Sequence, residues 1–307
     1  MVGFSDFQPL CSDVPSYTWC NLFYRQLLDR SPLTLQGSDP QSAPVGVNPR
    51  CGIPRAGHED SISNIANIVA CGVSILILLF LIYKSGRRKA AVGRVEFRIF
   101  LIVYLITLPL QIITNGSLLQ QGSTALVVFT ALHAGLIVAL FWILVTNAIV
   151  ATQWIDDGTM SSLMPLIIGS ILVFAGTVYI SLDVAFGVTD TIGGLSSPPE
   201  RIRSIPLFVL TSMWPIISII VYLALMAFIV LHVLNETRPM WYFLLSAALF
   251  VLAQLAWFLL GKVICNGSNQ KVDGSFVATI LETASVVGLF FAWKSITEES
   301  WDDDFTY

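Results

Sequence analysis

Seven uninterrupted apolar runs dominate this sequence, near residues 62–83, 96–114, 123–151, 161–184, 205–234, 240–260 and 275–293. Each is close to or beyond the ~20 residues that an α-helix needs to cross the hydrocarbon of a bilayer. In lipid, backbone N–H and C=O groups must be satisfied within the segment, so such runs read as transmembrane helices. The third and fifth are long enough to tilt or to continue among the headgroups. A closed β-barrel would show short alternating segments, and these runs are continuous. Charge content agrees: 12% of the 307 residues are charged, against about 25% in a soluble domain. With a mean hydropathy of +0.76, the chain cannot hide its apolar surface in a water-soluble core. The expected fold is all-α, a polytopic bundle of seven transmembrane helices.

Between the first two runs lies Lys84-Ser85-Gly86-Arg87-Arg88-Lys89-Ala90-Ala91-Val92-Gly93-Arg94. Counted on to Arg98, it holds six of the sixteen Lys and Arg residues. Cationic loops stay on the cytoplasmic side during insertion, which puts the N-terminus in the lumen and the C-terminus in the cytosol. Outside the N-terminal segment, the other cations divide as Arg238 and Lys294 on the cytosolic side and Arg201, Arg203, Lys262 and Lys271 in short loops on the far side. Lys84, Arg87, Arg88, Lys89, Arg94 and Arg98 therefore set the topology. The chain divides into a lumenal segment, 1–60, a bundle, 61–294, and a cytosolic tail, 295–307. No basic stretch precedes an apolar run in residues 1–60, so a cleavable signal peptide is not expected and the first span acts as the insertion signal. A formal net charge of −4 and the lack of a basic-aromatic patch give no reason to expect a nucleic-acid partner.

Four of the five cysteines, Cys11, Cys20, Cys51 and Cys265, fall on the same side in this topology. That compartment is oxidising if it is the secretory lumen. Four cysteines permit two disulfides in one of three pairings. Cys11 with Cys20 would close a small local loop and leave Cys51 for Cys265. No CxxC or clustered His suggests zinc, and Cys71, inside the first span, reads as an inert core residue. Asn21 to Asp29 is expected to form a short helix with Leu22, Phe23, Leu27 and Leu28 on one side, packed as a peg on the lumenal ends of the bundle. Pro206 and Pro215 are expected to start and kink the fifth span. Ala131 with Gly135, and Ala284 with Gly288, are small-residue pairs suited to close helix contact.

Glu282 lies several residues inside the last span, where a charge costs ~2.5–3.5 kcal/mol on insertion scales. A polar tie to Gln254 or His133 across the bundle explains it better than a proton relay, because no second buried acid or chain of His accompanies it. Three sequons occur, at Asn115, Asn235 and Asn266, and Asn266 is the favoured glycosylation site. No HxxxH, HExxH or GxSxG motif is present, so neither a zinc nor a serine hydrolase can be assembled, and no cofactor is expected. A seven-span receptor for a small ligand is the alternative. The third span lacks an acidic-Arg-aromatic triplet, however, and the seventh lacks Asn-Pro-x-x-Tyr. The tail places Glu298, Glu299, Asp302, Asp303 and Asp304 around Trp301, a candidate for reading by a partner protein.

Phe4-Ser5-Asp6-Phe7 followed by Cys11 and Cys20, Ala90-Ala91-Val92-Gly93-Arg94 with Glu96, and Ser295-Ile296-Thr297-Glu298 with Trp301 and Asp302 resemble signatures of the fungal chitin synthase export chaperones. The similarity runs across the whole chain. It implies a multi-pass protein of the endoplasmic reticulum membrane, not an enzyme. Such a protein binds a chitin synthase catalytic subunit and promotes its folding and export for cell-wall chitin synthesis. Export-coat proteins are further expected partners, and travel onward with the client to the plasma membrane is a further expectation.

Overall fold

The computed structural model describes residues 5–30, 42–43, 46–47, 50–54, 64–87, 92–116, 118–189 and 202–297. Each expected span is helical: α3 (Ile65–Arg87), α4 (Arg94–Asn115), α5 (Thr124–Ala151), α6 (Met160–Phe186), a fifth span in pieces, α9 (Arg238–Phe258) and α11 (Gly274–Thr297). All seven are long and apolar enough to cross a membrane. Short helices α1 (Gln8–Asp13), α2 (Cys20–Arg30) and α10 (Gly261–Gly267) sit outside them. A two-residue antiparallel pairing joins Ser42–Ala43 (β1) to Ile53–Pro54 (β2).

Local chemistry sets several helix ends. The Ser123 hydroxyl accepts from Leu126 N at 3.3 Å and opens α5, satisfying one of the donors that a helix start leaves free. Ser204 does the same for Leu207 at the start of the fifth span. Gly187 ends α6 in the left-handed region, φ 61°, which glycine enters without a Cβ penalty. The fifth span runs as α7 (Ile205–Phe208), a π-helical turn (Val209–Met213), α8 (Trp214–Phe228) and a second π turn (Ile229–Val233). The first π turn ends two residues before Pro215, whose missing N–H cannot continue the α ladder. The prolines thus start the span and widen one of its turns.

α5 is the hub, packed by α6, α4 and α8. Of its membrane-spanning window 67% is buried, against 11% for α6, which faces lipid. Small residues let the neighbours close in. A Cβ on Gly135 would stand 2.8 Å from Phe174 and Val178 of α6, and one on Gly169 would collide with the Trp142 indole. The most extensively packed pair is α9 with α11. There Ser246 Oγ donates to Ser285 O at 2.7 Å, and Ser285 Oγ returns a bond to Ser246 O at 2.8 Å. Gly288 lies on Ser246, its Cβ position 3.2 Å away.

A polar seam joins α11 to α3 and α4. Gln111 donates to Thr279 Oγ1 at 2.8 Å, Thr279 donates to Asn67 Oδ1 at 3.0 Å, and Thr283 donates to Ser74 Oγ at 2.7 Å. Because the helices alternate in direction, the bundle has two distinct ends. One carries α1, α2, α10 and the disulfides, and is called here the cysteine end. The other carries the turn between α3 and α4 and is the basic-loop end.

Candidate functional site

At the cysteine end the N-terminal segment forms a cap. Cys11 is bonded to Cys20, with Cα atoms 5.7 Å apart, and Cys51 to Cys265, with Cα atoms 6.3 Å apart. Phe7 is fully buried against Phe23, ring centroids 4.8 Å apart, and its N–H donates to Ile202 O at 2.9 Å. Beside it Asp6 pairs with Arg203 as a β-bridge, and Arg203 Nε donates to Ser5 Oγ at 3.0 Å. Leu22, Phe23 and Leu27 of α2 are buried, but Leu28 is 41% exposed. The buried stripe of α2 is therefore narrower than its sequence suggests, because Leu28 is rotated about 100° from Leu27 on the helix.

Polar side chains fasten this cap to the span ends. Thr18 Oγ1 donates to Asn115 Oδ1 at 2.8 Å, and Asn21 Nδ2 to Thr130 Oγ1 at 3.1 Å. Arg25 donates to Gly122 O at 3.0 Å. Tyr17 reaches Thr211 and Ser212, and burial raises its phenol well above the usual range. Asp273, just before α11, accepts from Ser275 Oγ at 2.6 Å, and burial pushes its carboxyl up from 3.8 to about 6.

Beneath the cap lies a cavity of about 180 Å³ between α4, α5, α8, α9 and α11, closed on one side by Tyr17, Thr18 and Trp19. Glu282, Gln254 and His133 all line it. Gln254 Nε2 donates to Glu282 Oε1 at 3.1 Å. His133 takes a different partner: its Nδ1 lies 3.2 Å from Thr114 Oγ1, and its ring meets the edge of Trp19 at 5.6 Å. Cys71 is unpaired and buried, 3.6 Å from Asn67 Oδ1.

The basic-loop end is built on Glu96, in the first turn of α4 and fully buried. Its Oε1 accepts from Gly158 N at 2.8 Å and Ser162 Oγ at 2.7 Å. Asp157 answers by accepting from Gly93 N at 2.9 Å. Trp293 near the end of α11 donates to Val92 O at 2.9 Å and stacks on Phe97, ring centroids 5.2 Å apart. Lys84, Arg87 and Arg98 are exposed and Arg94 half-buried. Lys84 and Arg87 lie over the rings of Phe80 and Tyr83 at 5.3 and 5.8 Å.

Several expectations fall outside the described residues: Arg88 and Lys89 of the basic loop, Phe4, and the tail positions Glu298, Glu299, Trp301, Asp302, Asp303 and Asp304. Of the sequons, Asn115 is buried in its bond to Thr18, whereas Asn266 is exposed on α10 next to Cys265. Sequence reasoning passed over Tyr17 and Trp19 as cavity walls, and over Glu96 as the centre of its cluster. The signal for Glu96 was an acid in the first turn of a membrane helix, flanked by cations and followed by phenylalanine. Among the described residues no three His, Cys, Asp or Glu side chains come together to hold a metal ion.

A family model described as "Chitin synthase export chaperone" matches residues 3–306. A chitin synthase export chaperone of Emericella nidulans is 26% identical over 97% of this chain and 84% of its own length. One of Coccidioides immitis is 26% identical over 87% of this chain and 78% of its own. One of Fusarium oxysporum f. sp. lycopersici is 25% identical over 97% and 84%. No solved structure matches. The match runs through the cap, all seven spans and the basic-loop cluster, and the chain belongs to the chitin synthase export chaperone family.

Proposed function

We propose that this protein is a chaperone of the endoplasmic reticulum membrane that binds a chitin synthase catalytic subunit, supports its folding and releases it for export. One observation carries the reading: the family match along residues 3–306. The relatives described above carry the export-chaperone name, which does not favour the small-ligand receptor. The protein acts by binding, not catalysis. Residues 1–60 are lumenal and the tail from Lys294 is cytosolic. The six-cation loop supports that orientation, as do two disulfides at the opposite end, which belong in an oxidising compartment.

Client contact is shared between membrane and cytosol. Val92 meets Trp293 near the end of α11, and the acidic residues around Trp301, next in the sequence, are read by a basic face of the synthase or by an export coat. Deleting the gene and locating the synthase tests the reading: retention of the synthase in the endoplasmic reticulum is expected, and normal delivery overturns it. Co-purification in mild detergent adds a direct readout, since a chaperone carries its synthase with it. Protease added to sealed microsomes should remove a C-terminal tag and spare an N-terminal one.

A further inference from the structure

The cavity beneath the cap is long and narrow. Its lining runs from His133 to Leu144 on α5, which is about 16 Å along the axis at 1.5 Å per residue. On α9 it runs from Phe243 to Phe258, about 22 Å by the same measure. An apolar cavity of about 150 Å³ accepts a benzene ring, so the 180 Å³ here has room for an apolar guest. Spread over such a length, that space fits a chain and not a ring.

Its two halves differ in chemistry. Toward the basic-loop end the walls are apolar, with Phe141, Leu144, Leu223, Phe243 and Leu289. At the level of Glu282 and Gln254 they are polar. Gln254 occupies Glu282 Oε1, and Oε2 makes no hydrogen bond among the described residues. On the same wall Trp257 Nε1 is buried without an acceptor. The lining holds this carboxyl group and no Lys or Arg, so nothing in it would pair with an anionic head, whereas a head that donates a hydrogen bond would be held at Oε2. The slot also has a side door. α8 and α9 both line it, yet these consecutive helices barely touch each other.

We propose that the slot binds one single-chain membrane amphiphile with a hydrogen-bond-donating, non-anionic head, a hydroxyl or an amine, entering from the bilayer between α8 and α9. The head bonds to Glu282 Oε2, and the chain runs toward Phe243 and Leu289. Tyr17 and Trp19 close the slot at the cysteine end.

The full-length protein in phosphatidylcholine nanodiscs, with hexadecanol carrying a diazirine near the chain terminus, tests this. Irradiation should label the walls around Leu223, Phe243 and Leu289. Unlabelled monoolein or sphingosine should displace the probe about tenfold or more better than palmitic acid, the difference expected when a hydrogen-bond donor replaces a carboxylate that finds no cationic partner in the slot. The better competitor assigns the head as hydroxyl or amine. Ala247→Phe, which narrows the slot, should abolish labelling while the Cys51–Cys265 bond and the melting temperature persist. Should that variant not fold, Glu282→Gln serves: sphingosine displacement should weaken and monoolein displacement should hold. Label spread evenly over the lipid-facing residues of α6, or equal displacement by palmitic acid, overturns the proposal.

Discussion

The two ends of this bundle are fastened by different means. At the cysteine end two disulfides and at least five side-chain hydrogen bonds or ion pairs hold the N-terminal segment onto the span ends and their loops. At the basic-loop end, among the described residues, no disulfide is present: the Glu96 and Asp157 carboxylates tie the α5–α6 loop and the start of α6 to the start of α4, and one indole bonds to the α3–α4 turn. Covalent closure makes the first end tolerant of losing any one polar contact. The second has no such reserve, so its geometry depends on the Glu96 and Asp157 bonds being kept.

The largest effect is expected from breaking the long staple. Cys51 and Cys265 are 214 residues apart, Cys11 and Cys20 only 9. Chain-entropy estimates give about 5 and about 2.5 kcal/mol as upper bounds for the two, and helices already held in a bilayer lower both. Cys51→Ser should therefore depress the detergent melting temperature more than Cys11→Ser. Equal shifts would mean that the cap is held by its polar contacts. At the other end Glu96→Ala removes an acceptor from the Gly158 N–H, on an exposed residue, and from the Ser162 hydroxyl, which can still donate to Thr159 O at 3.0 Å, a cost of about 1–2 kcal/mol. Hydrogen exchange at Gly158–Ser162 should rise sharply in that variant and much less in Glu96→Gln, which keeps an acceptor.

A third effect appears only on titration. The Asp273 carboxyl sits at about 6 in the fold against an ordinary 3.8, so the folded state binds its proton more tightly. That contribution is complete below the ordinary value and is lost as pH rises through about 6, by up to ~3 kcal/mol at 1.36 kcal/mol per pH unit. Asp273→Asn should flatten the pH dependence of melting between 4 and 6; an unchanged slope would show that another group titrates. The smallest effect belongs to Asp13, which meets Arg50 at 3.0 Å and Lys262 at 3.7 Å with all three side chains well exposed. Exposed pairs contribute under about 1 kcal/mol, and Asp13→Asn should leave melting nearly unchanged.

The spans were legible because bilayer crossing demands long apolar runs, and that demand is written residue by residue. The fifth span shows where this stops: Pro206 and Pro215 announced an irregularity, yet its form as two π turns depends on how neighbours absorb the lost bonds. Glu282 announced itself as a buried acid, but the choice between Gln254 and His133 rests on helix rotation, which periodicity alone does not fix. Thr279 and Thr283 look ordinary in sequence, because a hydroxyl on a helix can always bond its own backbone. Their bonds to Asn67 and Ser74 arise only when α3 lies alongside. Tyr17 and Trp19 carried no signal as cavity walls, since a segment with little periodicity gives no hint of what it will cover.

The staple also has a consequence in time. Cys51 is made 214 residues before Cys265, a gap of about 10–40 s at 5–20 residues per second. Until six of the seven spans have been made, Cys51 has no partner and must wait beside Cys11 and Cys20 without reacting with either. Early joining of Cys11 to Cys20, only 9 residues apart, removes both competitors. The second bond then closes only once six spans have been made, and serves as a covalent mark that the chain has come that far.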